Sequence, residues 1–303
     1  MKIVNVALAL ATGGALLIAG TTLAATQNDT PSKMEQIRKD GNIEIAIYQD
    51  FPPWSYPAED GGYTGIDVDI AKALADKLGV GLTLYPFRHD ETMSDDIRNR
   101  VWKGHYIGRP PSDAMIHVGM APAFQKRNDN ATFVGAYYNE TMGLAYDSKR
   151  FGKDVKSPLA LAGHPIGAEV DTLGAFYLDS AFEGTLRNDV KHFMGVPAAM
   201  RALNQGKLAG VVAPVGELRG TAHMLDDKKV SIRNIKLTGM YQTNWDVGVA
   251  VKTGNDKLAA ALDQAMAELR TSGALKEIFQ NYGLPYRPPH SISDNATKTA
   301  AAK

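Results

Sequence analysis

The stretch that decides the fold runs from Ile43 to Phe87. It reads Ile43-Glu44-Ile45-Ala46-Ile47, a stop at Phe51-Pro52-Pro53-Trp54, then Ile66-Asp67-Val68-Asp69-Ile70-Ala71-Lys72-Ala73-Leu74-Ala75-Asp76-Lys77-Leu78, and finally Gly81-Leu82-Thr83-Leu84-Tyr85-Pro86-Phe87. Ile43, Ile45 and Ile47 alternate as one face of a strand does, and the proline pair ends it. Ile66, Ile70, Ala73, Leu74 and Leu78 recur at helical spacing. Asp67 and Asp69 fall where a helix N-terminus favours negative charge, and Gly79 stands just past the end. Gly81 to Phe87 reads as the next strand, which completes a strand–helix–strand unit.

Outward from this unit the rhythm continues. Asp95 to Trp102 reads as helix, Ala114 to Val118 as a short strand, and Phe133 and Leu144 to Tyr146 as further strand segments. The chain turns polar over Asp147 to Pro158, as expected of a crossing between domains. A second series then follows: strand over Pro165 to Val170, helix over Leu173 to Phe182, helix over Ala198 to Asn204, strand over Gly210 to Ala213, and helix over Gly216 to Leu225. Asp246 to Val251 reads as strand and Asp256 to Ser272 as helix. Strands alternating with helices imply a mainly parallel α/β architecture. The tail from Arg287 to Lys303 is polar and reads as disordered.

Composition narrows the function. The 303 residues carry 33 Lys plus Arg against 33 Asp plus Glu, so no net charge draws the chain to nucleic acid or to an anionic membrane. With no cysteine, disulfides, thiolate metal sites and cysteine nucleophiles are excluded. No cofactor is expected. Lys2, the apolar run Ile3 to Ile18 and Thr22-Leu23-Ala24 read as a secretory signal cleaved after Ala24 or Ala25, which sends the product to the periplasm. The run is shorter than the roughly 20 apolar residues that span a bilayer.

Phe51-Pro52-Pro53-Trp54, Gly61-Gly62-Tyr63-Thr64-Gly65-Ile66-Asp67-Val68-Asp69-Ile70-Ala71, Gly163 to Thr172, Leu203-Asn204-Gln205-Gly206-Lys207-Leu208, Trp245 to Lys252 and Leu275 to Gly283 together resemble the polar amino acid-type (family 3) periplasmic solute-binding proteins, in the family's order. The resemblance implies a type II periplasmic binding protein fold: two α/β lobes joined by two hinge strands, with a ligand cleft between them. Residues 27–147 plus 247–286 would form lobe 1 and residues 148–246 lobe 2, after a signal peptide over 1–25 and before a disordered tail over 287–303. The crossings would lie near Ala145 to Lys149 and Asn244 to Gly248. Closure would be a population shift toward a state in which both lobes touch the solute.

The resemblance also implies a site. Phe51 matches the aromatic that stacks on the ligand in relatives, with Trp54 and Tyr137 as further first-lobe aromatics. Arg127, six residues before Phe133, matches the arginine that clasps a ligand carboxylate, although the family's Thr-Pro-Glu-Arg is replaced by Phe124-Gln125-Lys126-Arg127; the alternative is a solvated surface arginine. Asp171-Thr172 aligns with a Gly-Thr pair, which keeps the hydroxyl and adds a negative charge. The aspartate that neutralises a ligand ammonium is replaced by Pro214, which offers neither charge nor an N–H. A standard α-amino acid is therefore not expected. The expected solute has an apolar or ring body and at most one anionic or polar end.

Residues 88–111 have no counterpart in ordinary relatives. They read either as an added rim or docking surface, or as a solvated loop and helix. Met115, His117 and Met120 could suit a soft metal, but Met115 and His117 also alternate as core residues of a strand, and no metal site is assigned. Three functions stand open. The first is a monomeric, non-enzymatic binding protein that delivers a small molecule to an ABC transporter permease. The second is an accessory protein for a periplasmic quinoprotein dehydrogenase. The third is an enzyme similar to cyclohexadienyl dehydratases, with Glu140 or Glu169 as acid.

Overall fold

The computed structural model describes residues 31–227, 229–240 and 243–290, so the segment read as an export signal lies outside the described residues, as does the tail beyond 290. Eleven strands and ten α-helices are named here. The strands are β1 (Asn42–Tyr48), β2 (Tyr56–Pro57), β3 (Tyr63–Thr64), β4 (Gly81–Phe87), β5 (Ala114–Gly119), β6 (Ala131–Asp147), β7 (Ile166–Glu169), β8 (Val190–Phe193), β9 (Gly210–Pro214), β10 (Val230–Asn234) and β11 (Asn244–Lys252). The helices are α1 (Lys33–Asp40), α2 (Ile66–Leu78), α3 (Met93–Ile97), α4 (Pro122–Arg127), α5 (Ser148–Phe151), α6 (Leu173–Ser180), α7 (Val196–Asn204), α8 (Val215–Met224), α9 (Asp256–Ser272) and α10 (Ala274–Asn281).

The deciding stretch folds as read. β1 pairs in parallel with β4, from Asn42 opposite Gly81 to Tyr48 opposite Phe87, and α2 crosses between them. Gly79 ends α2 in the left-handed conformation, where a glycine has no Cβ to clash, and its N–H returns to the carbonyls of Ala75 and Asp76. Ile43, Ile45 and Ile47 of β1 meet Ile66, Ile70 and Leu74 of α2 and Leu258, Leu262 and Met266 of α9 in one core. Each such side chain contributes about 1.5–3 kcal/mol by leaving water.

β6 organises the rest. Its first part pairs antiparallel with β11, from Ala131 opposite Lys252 to Thr141 opposite Asn244. From Met142 onward its partners are β9 and β10. The pairing thus changes between Thr141 and Met142, a few residues before the crossing expected from the sequence. A second core lies beyond this point, with Met142, Leu144, Ile166, Ala168, Leu178 and Val212 at its centre. The result is two packed lobes on one continuous sheet ordered β4-β1-β5-β11-β6-β9-β7-β8.

Some local readings change. The polar stretch before β1 contains α1, held by a capping box in which Ser32 and Glu35 satisfy each other's backbone N–H groups, with Met34 and Ile37 turned inward. The helix read over Asp95 to Trp102 is α3, capped by Thr92, followed by a π-helical turn over Arg98–Trp102. Simple alternation in β5 does not hold either. Gly248 pairs with Val118 and Val249 with Ile116, so His117 is an extra, bulged residue with φ 64°, and its side chain leaves the strand's regular pattern. Among the described residues no helix is long and apolar enough to cross a membrane.

Candidate functional site

In open α/β sheets, ligands bind beyond the carboxyl ends of the strands, where the loops diverge. β1 leads there to Asp50 and Phe51, β4 to His89, β7 to Glu169, Asp171 and Thr172, and β9 through Pro214 into α8. Of the residues singled out from the sequence, Phe51, Asp171 and Thr172 stand at these strand ends. Phe51 is half-buried, its N–H donating to the Ser55 carbonyl at 2.7 Å. Asp171 is exposed with a left-handed φ of 59°. Thr172 caps α6. Its hydroxyl donates to the Glu169 carbonyl at 2.7 Å and accepts from the Ala175 N–H at 3.3 Å, so both of its roles are already used inside the protein.

Trp54 and Tyr137 lie beneath this surface. Trp54 is 1% exposed and packs on His117, Tyr138 and Phe279. Tyr137 is fully buried, and its hydroxyl donates to Asp67 Oδ1 at 2.6 Å. The other Asp67 oxygen stands 2.9 Å from His117 Nδ1, and the Tyr137 hydroxyl lies 3.2 Å from the same nitrogen. The bulge in β5 therefore delivers His117 into a closed Asp–His–Tyr network, with Phe51 edge-on to its ring at 4.9 Å and Trp54 on the other contact at 4.6 Å. Burial and the Asp67 charge push the Tyr137 phenol well above its ordinary range.

Arg127 is set apart from the others. α4 follows β5, and Arg127 stands exposed at its last position. The next turn is tied to the far end of β11: Thr253 N–H donates to the Asn130 carbonyl at 3.0 Å and its hydroxyl to the Asp129 carbonyl at 2.8 Å. Along β6 this level is Ala131, ten positions before Thr141. Phe124 turns inward and packs edge-on against Phe133.

A group of acids meets where the lobes join. Glu140 on β6 accepts from the Thr141 N–H at 2.8 Å and from the Gly216 N–H at 3.2 Å to each oxygen. Burial lifts its carboxyl to about 7, against the pull of those two amides and of His117 and Arg287. Glu169 is raised by burial and by Asp50, while His89 and the Val196 amide draw it back. Glu217, in the first turn of α8, is 6% exposed and makes no hydrogen bond or ion pair with the described residues. Burial first, then Glu169 and Glu140, push its carboxyl well above the ordinary range. Pro214 begins a helix whose first turn carries the Glu217 carboxyl. Reading the segment as far as that turn would have found it, since acids are favoured at helix N-termini.

The segment 88–111 divides in two. Its start belongs to the strand ends, where Asp90 N–H donates to Asp96 at 2.7 Å and the Tyr48 hydroxyl to the same carboxyl at 2.9 Å. Its end folds over the opposite part of the lobe. Arg109 bonds Glu44 at 3.0 Å and lies over the Tyr85 ring, and Tyr106 projects 91% exposed at the tip. Among the described residues no group of three or more His, Asp or Glu side chains could hold a metal ion.

The comparisons with known proteins agree with this architecture. The model of the bacterial extracellular solute-binding proteins, family 3, matches residues 43–101, a span that contains the stretch that decides the fold. The L-cystine-binding protein TcyJ of Escherichia coli (strain K12) is 23% identical over 267 residues, covering 88% of this chain and 91% of the relative. A cyclohexadienyl dehydratase of Pseudomonas aeruginosa is 37% identical over 79 residues, 26% of this chain and 28% of that protein. Among solved structures, an ancestral cationic amino acid solute-binding protein superposes with a TM-score of 0.66 at 19% identity, over 83% of this chain and 100% of that one, and shares the two-lobe type II fold. The family model on the first strand–helix–strand unit and the two-lobe fold of the solved structure point the same way: the chain resembles the bacterial extracellular solute-binding proteins, family 3, and shares their type II fold.

Proposed function

We propose that this chain captures a small solute between its two lobes in the periplasm, working as a monomer, and delivers it to an ABC transporter permease; the solute is an organic cation without an α-carboxylate. A binding role is common to the family and to its relatives. In this reading lobe 1 comprises residues 27–147 with 247–286 and lobe 2 residues 148–246. The observation that carries the solute class is Glu217, a carboxyl in the first turn of α8 crowded by the carboxyls of Glu169 and Glu140. Carboxyls crowded together in a partly desolvated junction repel one another, and a cation or strong donor from a solute would offset that cost.

The other end of an amino acid finds little. Arg127 stands exposed at the end of α4, the Thr172 hydroxyl is committed to its helix, and Asp171 repels an anion. Half-buried Phe51 places an aromatic ring at the strand ends, and a ring face attracts a cation. Titration calorimetry with agmatine, which is arginine without its carboxylate, tests the proposal. Agmatine should bind at least as tightly as arginine; arginine binding tenfold tighter would refute it.

A second reading has one observation in its favour. Glu140, at about 7, sits in the range of a general acid, and the chain shares a 79-residue similarity with a cyclohexadienyl dehydratase. Both Glu140 oxygens already accept the Gly216 amide beneath Trp54, so an enzyme role would need them released. Incubating the chain with a cyclohexadienyl acid decides it: dehydrated product that disappears in Glu140→Gln would establish the enzyme.

A further inference from the structure

The contact between the lobes rests on two glycines one helical turn apart. Gly216 and Gly220 lie on the face of α8 that meets the first lobe. A Cβ on Gly216 would overlap the Trp54 ring and the Glu140 carboxyl, and one on Gly220 would overlap the Pro53 ring. α8 therefore approaches Pro53 and Trp54 as closely as backbone allows. The Gly216 amide lands on both oxygens of Glu140, which belongs to β6, the strand that crosses between the lobes. Separating α8 from Pro53 and Trp54 would uncover that carboxyl to water, and bringing them together seals it.

We infer that closing the lobes over Glu140 takes up a proton, so that the closed form gains as pH falls even when no solute is present. The groups around Glu140 set the balance. His117 from β5 and Arg287 from the C-terminal segment favour its anion, as do the Thr141 and Gly216 amides. Glu217 from α8 is coupled to it with the opposite sign, and Tyr138 beside it on β6 is a buried phenol that its charge holds protonated. Burial outweighs the favourable neighbours and lifts the group to about 7 in the closed arrangement. In an open arrangement, with water restored, the carboxyl returns toward its ordinary 4.5. The closed form thus binds more protons between these values. Its ratio to the open form should rise on the order of a hundredfold as pH drops across that window.

This inference rests on the hinge closure proposed above but on no solute. Small-angle scattering of the solute-free full chain from pH 8 to pH 5 tests it. The radius of gyration should shrink as pH falls, and Glu140→Gln, a permanently neutral mimic, should be compact and nearly pH-independent. A wild-type radius that does not change, or the same pH response in Glu140→Gln, overturns the coupling. In case that variant does not fold, carbon-13 NMR of labelled glutamate in Gly220→Ala gives a second reading. Holding α8 off Pro53 should move the Glu140 midpoint from near 7 toward 4.5, and an unmoved midpoint counts against the inference. A chain that binds agmatine but shows no pH response loses this coupling alone, and one that shows the response but binds no amine loses only the solute proposal.

Discussion

Two buried carboxyls, Asp67 and Glu217, lie under the same junction in opposite circumstances. Asp67 is 1% exposed, and the chain itself satisfies it through the Tyr137 hydroxyl and the His117 ring. Glu217 is 6% exposed, and its neighbours are the like charges of Glu169 and Glu140. The difference separates structure from function. A buried acid with internal partners holds the fold together, whereas one without them has capacity left for something that arrives from outside.

That contrast can be broken from either side. Asp67→Ala would leave the Tyr137 hydroxyl and the His117 imidazole without their acceptor and should destabilise the protein by about 3–5 kcal/mol in denaturant unfolding. Glu217→Gln should change stability by less than about 1 kcal/mol, because no partner is lost. Comparable losses in the two variants would erase the distinction.

Glu140 stands between the two cases, with amide partners but heavy desolvation, and its effect is read in pH. Its folded value of about 7 lies above its ordinary 4.5, so the folded state holds the proton across that interval. Its contribution to stability is whole below about pH 4.5 and is lost as pH rises through 7. The loss should be about 3 kcal/mol, the shift converted at 1.36 kcal/mol per unit. Urea unfolding of the wild type should show this slope, and Glu140→Gln should flatten it.

Arg127→Ala should do least. An exposed arginine without an ion pair among the described residues is expected to change stability by no more than about 0.5 kcal/mol, and amine binding should not change. A tenfold loss of affinity in this variant would return Arg127 to the site.

The features legible in the sequence were those encoded locally. α2 and α9 announce themselves by spacing, whereas Phe51 and Thr172 were singled out only through the resemblance to a known family. α1 was hidden because only Met34 and Ile37 turn inward from a polar stretch, although its Ser32–Glu35 capping box was there to read. The long strand β6 looked like two, since what distinguishes its halves is a change of partner at Thr141–Met142 rather than a change of pattern. The bulge at His117 is invisible to alternation, because the extra residue shows only against the register of β11. Counting back from Phe133 located Arg127 in the chain, where it stands exposed at the end of α4. Glu217 was missed because the reading stopped at Pro214, short of the first turn of α8, and its crowding by Glu169 and Glu140 is a property of the packed junction.

The most direct test of the account compares agmatine binding to the wild type and to Glu217→Gln by titration calorimetry at pH 8. Removing one side of a desolvated charged contact should weaken binding by about 2–4 kcal/mol, or roughly 30- to 1,000-fold, with unfolding in urea nearly unchanged. Equal affinity in the two proteins would show that Glu217 does not receive the solute, and the account of this cleft would fail.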